Sequence, residues 1–371
     1  MTEHTTQGSQ PPNHSTGQPR NSTDHERVAE SVGGSMAMRS AEVLDWPRRI
    51  HRFFHANPTA APAIVLIAAV LAFSFIAGDR FLTPFNLSLV LQQVTIIGAL
   101  GVGQTLIIMT MGIDLSVGAI MVLSSVVMGR LAVDFGLPPS MALLLGLVCG
   151  AACGAINGTL VTRIKLPPFI VTLGTWNIFF SLNLWYSNSQ TIRSQDIESI
   201  APLLQWAGNS FTLFGARITF GSLMMIALVG AVWYALNWTA WGRHVYATGD
   251  DKDAAELAGI RTQRVLMSVY IVAGVICGLA AWLMIGRIGS VSPQVGTMSN
   301  LDSITAVVIG GTSLFGGRGS IVGTLIGALV VGIFRNGLAL AGVDVLWQEF
   351  TVGLLILVAV GIDQWIRRAS A

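Results

Sequence analysis

The side chains that could do chemistry are few and oddly placed. Asp114 stands in "IMTMGIDLSVGAIMV" (Ile108 to Val122), between Gly112 and Gly118 and two residues before Ser116, within an otherwise apolar run. Asp302 and Arg335 are the other charges set among apolar residues. If these runs cross a bilayer, each charge costs at least about 2.5–3.5 kcal/mol at its centre and needs a purpose. Two purposes fit Asp114. Its carboxylate can accept hydrogen bonds from the free N–H groups that open the next helix, where the helix dipole favours negative charge. Alternatively it marks a broken helix lining a pathway, since irregular backbone at that depth is tolerated only where it is buried or wet. Gly112 and Gly118 suit both readings.

Polar but uncharged residues recur in the same runs: Gln104, Thr110, Asn157, Thr172, Thr175, Asn177 and Asn183. Hydroxyls and amides suit a neutral polyol better than an ion. Each can instead bond between helices, worth about 0.6 kcal/mol in a membrane. Acid–base and metal chemistry have no centre: there is no H-E-x-x-H, no Ser/His or Asp/Asp pair within an apolar run, and His51, His55 and His244 all flank those runs. Cys149, Cys153 and Cys277 lie inside such runs and read as small buried hydrophobes. "GGTSLFGGRGS" lacks the order of a phosphate loop. The sequence therefore implies no cofactor, no metal, no nucleotide and no enzyme.

The elements that hold these residues are membrane helices. The chain of 371 residues is 52% apolar and 11% charged, with mean hydropathy +0.65, against roughly 25% charged in soluble domains. A helix of about 20 apolar residues crosses the hydrocarbon core. Spans are expected near 61–78, 88–110, 115–133, 139–160, 168–187, 219–238, 265–286, 303–316, 320–340 and 347–365. This is an all-α integral membrane protein of about ten helices, in contact with lipid throughout. Residues 1–45, rich in Ser, Thr, Gln, Asn and Pro, read as a disordered cytoplasmic tail ahead of a membrane domain at 46–371.

Ten crossings put both termini on one side, and basic residues choose it. A cytoplasmic N-terminus gives the inner segments Arg48, Arg49, Arg52, Arg163, Lys165, Arg243, Lys252, Arg261, Arg264, Arg318, Arg367 and Arg368. The outer ones hold only Arg80, Arg130, Arg193, Arg217 and Arg287. Twelve against five sets both ends in the cytoplasm. No basic stripe interleaved with aromatics appears, which excludes nucleic acid as a partner.

Two connections stand out. The outer one, about 187–218, holds "IAPLLQW", a short helix on the membrane face or a docking surface. The inner one, about 239–264, holds "DDKDAAELAGI", with acids in the first turn and a glycine at the end, the signals of a short helix. So short a helix is marginal alone and needs something to pack against. A second glycine-rich break, "GGTSLFGGRGS", joins the eighth and ninth spans, while Gly323, Gly327 and Gly332 beyond it suit close helix packing. Two breaks in two sets of five spans fit an inverted five-helix repeat, offset by one span.

Three stretches together resemble a known family: "GQTLIIMTMGIDLSVGAIM", "GRHVYATGDDKDAAELAGIRTQRV" and "TAVVIGGTSLFGGRGSIVGTLIGALVVGIFRNGL". They are similar to permease subunits of bacterial ATP-binding-cassette importers for monosaccharides of the ribose, xylose, arabinose and fructose type, in the branched-chain amino-acid and sugar permease superfamily. The resemblance runs from Arg80 to Asp363; the first 60 residues share no motif with it. It implies a multi-pass protein of the inner membrane that carries a sugar, ribose or fructose, inward. Its partners would be ATP-binding subunits, where ATP is hydrolysed, a periplasmic sugar-binding protein and a second permease copy. Asp253, Ala254, Ala255, Glu256 and Gly259 take the positions of the family's coupling helix. Gly112, Asp114, Ser116, Asn177, Asp302 and Arg335 are the expected pathway residues. An ion-coupled secondary transporter, with Asp114, Asp302 or Arg335 as coupling groups, is the rival.

Overall fold

The computed structural model describes residues 59–296 and 298–368. The expected tail at 1–45, with Arg48, Arg49, Arg52, His51 and His55, lies outside the described residues. The chain forms α1 (Ala60–Ala77), α2 (Pro84–Met109), α3 (Val117–Val133), α4 (Pro139–Thr162) and α5 (Pro168–Ser187). Short helices α6 (Ser194–Ile200) and α7 (Pro202–Gln205) lead to strands β1 (Ser210–Leu213) and β2 (Ala216–Thr219). Then come α8 (Phe220–Trp238), α9 (Ala240–Asp250), α10 (Lys252–Leu257), α11 (Thr262–Ile288), α12 (Ser299–Ile309), α13 (Ile321–Leu340) and α14 (Val345–Arg368).

Six helices among the described residues are long and apolar enough to cross a membrane: α1 with its extension to Arg80, α2, α4, α8, α11 and α13. Helices α3 and α12, and Val345–Val358 of α14, are apolar but shorter. Helix α5 is 20 residues long, but Thr172, Thr175, Asn177 and Asn183 dilute its apolar character. Helices α2, α4 and α5 each open on a proline, whose missing N–H has no helical partner to lose. Ile67, Leu71 and Phe75 on α1 are 59%, 65% and 91% exposed, an apolar face suited to lipid or to another apolar protein surface.

The two longest apolar helices, α2 and α11, form the buried centre. A Cβ on Gly103 of α2 would stand 3.5 Å from Ala273 of α11. Helix α4 lies against α11 backbone to backbone, since a Cβ on Gly150 would enter the Gly274 carbonyl and one on Gly154 the Tyr270 carbonyl. Helix α13 lies against α12 in the same manner, Gly323 on Gly310 and Gly327 on Ala306. In lipid, where no hydrophobic effect drives helices together, close approach through small residues supplies the dispersion contacts that do.

Three departures from the sequence reading have physical causes. The span expected at 303–316 is α12, which starts four residues earlier and stops at Ile309, because Gly310 and Gly311 break it. Its polar opening, "SNLD", hides that start from a hydropathy reading. The 187–218 connection holds not one short helix but two, plus a β-hairpin in register Ser210↔Thr219. Phe214 and Gly215, both at positive φ (49° and 81°), close it as a two-residue turn. Finally, the 239–264 connection carries a second helix, α9, ahead of α10.

Candidate functional site

Asp114 lies in the seven-residue break between α2 and α3 and is 2% exposed. Its Oδ1 accepts the backbone N–H and the hydroxyl of Ser116, both at 2.6 Å. Asn157 of α4 donates to Ser116 Oγ at 2.8 Å and lies 3.5 Å from Asp114 Oδ2. Thr172 of α5 donates to the Ile113 carbonyl at 2.9 Å. The carboxylate thus pins the residue at the mouth of α3 rather than capping its first turn, and α4 and α5 hold the turn from the side. Glycine is needed there for space. Gly112 and Gly118 are absent from the positive-φ residues, and Met111 takes the left-handed conformation (φ 61°) instead. A Cβ on Gly112 would stand 3.1 Å from the Tyr270 hydroxyl, and one on Gly118 3.3 Å from the Asn300 nitrogen.

That last contact reveals a second break. The chain from Gly289 to Gly296 is not helical, apart from turns, and the start of α12 lies against the start of α3. Asn300 donates to the Leu115 carbonyl at 3.1 Å, and a Cβ on Gly118 would also meet the Gly296 carbonyl at 3.3 Å. Two short helices therefore begin beside each other within the bundle. The third break, residues 310–320, lies elsewhere, against the end of α2: the Gly317 N–H donates to the Met109 carbonyl at 3.0 Å.

The other expected residues are dispersed. Arg335 of α13 pairs with Asp302 of α12 at 2.7 Å and Glu349 of α14 at 3.0 Å, so both expected charges are neutralised by neighbouring helices. Asn177 is exposed and bonds its own helix, donating to the Leu173 carbonyl at 3.1 Å; it does not join the Asp114 turn. In α10, Asp251 accepts from the Asp253 and Ala254 N–H groups at 3.0 Å, an N-cap. Gly259 (φ 85°) ends the helix while the Ile260 N–H returns to the Ala255 carbonyl at 3.0 Å. Ala255 is buried, Glu256 accepts the Thr262 hydroxyl, and Leu257 stands 90% exposed.

Sequence reasoning missed several polar groups. Thr105 and Thr324 hydroxyls meet at 2.6 Å, and Asn86 and Asn336 exchange bonds at 2.9 Å. Gln104, already noted in the sequence, is fully buried, with neither amide atom bonded within the protein. Thr324 and Asn336 sit in a run read for its glycines, and only tertiary contact reveals their partners. Among the described residues no cluster of His, Cys, Asp or Glu is arranged to hold a metal.

This helical, glycine-broken body matches a family model described as a branched-chain amino acid transport system permease component, over residues 86–360. The chain belongs to this family. Among its relatives, the permease is 52% identical to the fructose import permease protein FrcC of Rhizobium meliloti over 350 residues, 94% of this chain and 97% of the relative. It is 38% identical to the ribose import permease protein RbsC of Bacillus subtilis, across 88% and 99% of the two chains. Identity to the xylose transport system permease protein XylH of Escherichia coli is 30%, across 82% and 92%. No solved structure matches the permease significantly. It is a multi-pass membrane protein.

Proposed function

We propose that the chain is the permease subunit of an ATP-driven importer and moves a monosaccharide, fructose, across the bacterial inner membrane. One observation carries the reading: 52% identity to a fructose import permease across 94% of this chain, against 38% to a ribose permease. ATP is hydrolysed on partner subunits, a periplasmic protein delivers the sugar, and a second copy of this chain completes the pore. Helix α10 is the coupling helix. It is capped at both ends yet presents Leu257 to solvent, a surface suited to the cleft of an ATP-binding subunit.

Ten crossings, with both termini and α9–α10 on the cytoplasmic side, agree with the basic-residue bias. An inverted repeat of five and five helices is supported by matched surroundings. Helix α2 packs on α13 as α11 packs on α4, and the breaks that precede α3 and α12 touch through Asn300 and Leu115. This pairing removes the one-span offset of the sequence comparison. Gly112, Asp114 and Ser116 then form the part of the pathway wall that moves, with Asp302 and Arg335 serving as a brace between helices. That brace also weighs against ion coupling, because both charges already have partners.

The test is uptake of radiolabelled fructose, ribose, xylose and galactose by cells lacking the gene and complemented with it. Fructose uptake restored by the intact chain, and abolished by Glu256→Arg at equal membrane abundance, is the expected result. Restoration of another sugar alone would overturn the substrate assignment, and uptake indifferent to Glu256→Arg would overturn the coupling role.

A further inference from the structure

Three segments with separate tasks meet backbone to backbone: the end of α9, the 310–320 break and the end of α2. The Gly317 N–H donates to the Met109 carbonyl at 3.0 Å. A Cβ on Gly249 would collide with that same carbonyl, and one on Gly316 with the Met111 side chain and the Gly249 carbonyl. A Cβ on Gly317 would stand 2.8 Å from Asp250 Cα. The Tyr246 hydroxyl of α9 donates to the Gly319 carbonyl at 3.1 Å, and burial raises its pKa, so it stays protonated and keeps donating. No side-chain layer lies between these backbones to absorb a displacement.

From this geometry we infer that Gly249, Gly317 and Tyr246 are positioning residues for transport: they carry movement of α10 to the Asp114 turn. The inference rests on α10 being the coupling helix. The route is short. Asp251, which caps α10, follows Asp250 directly; Gly249 presses on Met109; and Met111, in its left-handed conformation, leads through Gly112 into the turn. Close-packed interiors transmit strain because they have no slack, and backbones in contact cannot slide without moving one another. The break at 310–320 acts as the second bearing surface, held to α2 by the Gly317 bond and to α9 by Tyr246. The breaks preceding α3 and α12 are thereby linked to the ATPase side through one glycine junction.

The test uses the whole complex, permease with ATP-binding subunit and sugar-binding protein, in proteoliposomes. It compares intact chain, Gly249→Ala, Gly317→Ala and Tyr246→Phe. Measured are co-purification of the ATP-binding subunit, basal ATP hydrolysis, and its stimulation by sugar-loaded binding protein. The glycine variants are expected to keep assembly and basal hydrolysis while stimulation and uptake fall about tenfold, within the span of ordinary allosteric couplings. Tyr246→Phe removes one hydroxyl without adding bulk, so it answers even if the alanine variants do not assemble; sugar moved per ATP is expected to fall severalfold. Tyr246→Phe with unchanged sugar per ATP, or alanine variants with unchanged stimulation, would overturn the junction. A wild-type complex unresponsive to any loaded binding protein would instead remove the transport reading beneath it, and the junction with it.

Discussion

Ser116 is the hub of the Asp114 turn, donating to the carboxylate and accepting from Asn157. Asn157 Oδ1 already lacks a protein partner, so losing the hydroxyl leaves the same buried amide only its long 3.5 Å contact from Nδ2 to Asp114 Oδ2. Ser116→Ala is predicted to cost about 1–3 kcal/mol, the penalty for a buried group left unbonded, read as a lower unfolding midpoint in detergent. Asp114→Asn keeps the shape and one acceptor; it is expected to lower the sugar uptake rate more than it lowers that midpoint. Equal loss in both would reduce Asp114 to scaffolding. The ion pairs should rank by burial: side-chain exposure is 14% at Asp302 and 50% at Glu349. Asp302→Ala is predicted to destabilise by about 2 kcal/mol and Glu349→Ala by under about 1 kcal/mol, checked in the same melts. Asp114, Asp302 and Arg335 were legible because a charge in an apolar run has few excuses. Their partners Asn157 and Glu349 were not, because helix packing alone brings them near. Asn177 looked like Asn157 in sequence; which face of its helix it occupies separates them.

At the scale of elements, helix α10 gave its limits away in advance through its acidic opening and Gly259. Helix α9 did not: its "AWGRHVYATGD" mixes glycines with polar and aromatic residues, and it is held by Tyr246 and by packing on its neighbours. Gly259→Ala forces an alanine into φ 85°, a cost of about 1–2 kcal/mol that falls on the end of α10. Purified complexes should accordingly retain less ATP-binding subunit with Gly259→Ala, and unaltered retention would argue that α10 is not the docking element. The long spans α2, α4, α8, α11 and α13 announced themselves by length and apolarity. Helix α12 and the hairpin were hidden, since one opens on polar residues and the other depends on a two-residue turn whose first position is Phe214. Gly112 and Gly118, which in sequence suited either a capped turn or a broken helix, serve close packing there, while the unusual backbone falls on Met111.

For the whole molecule, composition was enough to place the chain in a membrane, and the bias of basic residues gave a testable sidedness. Single cysteines at Lys252 and Phe214, introduced after replacing the three native cysteines, should label from opposite sides. Lys252→Cys is expected to react only in opened vesicles and Phe214→Cys, at a position 94% exposed, in intact cells. Reaction in the reverse pattern would invert the topology. The proposed inverted repeat was only half legible because the breaks it would pair, "MGIDLSVG" and "GSVSPQVG", share little sequence. Their likeness lies in position: each precedes a short helix beside the long buried one. The central claim, import driven by ATP, is tested most directly in proteoliposomes holding the permease and its ATP-binding subunit, with binding protein and radiolabelled fructose outside. Fructose should accumulate only when ATP is sealed inside, and ionophores that collapse every ion gradient should leave the rate unchanged. Accumulation that follows a proton or sodium gradient without ATP would contradict the account.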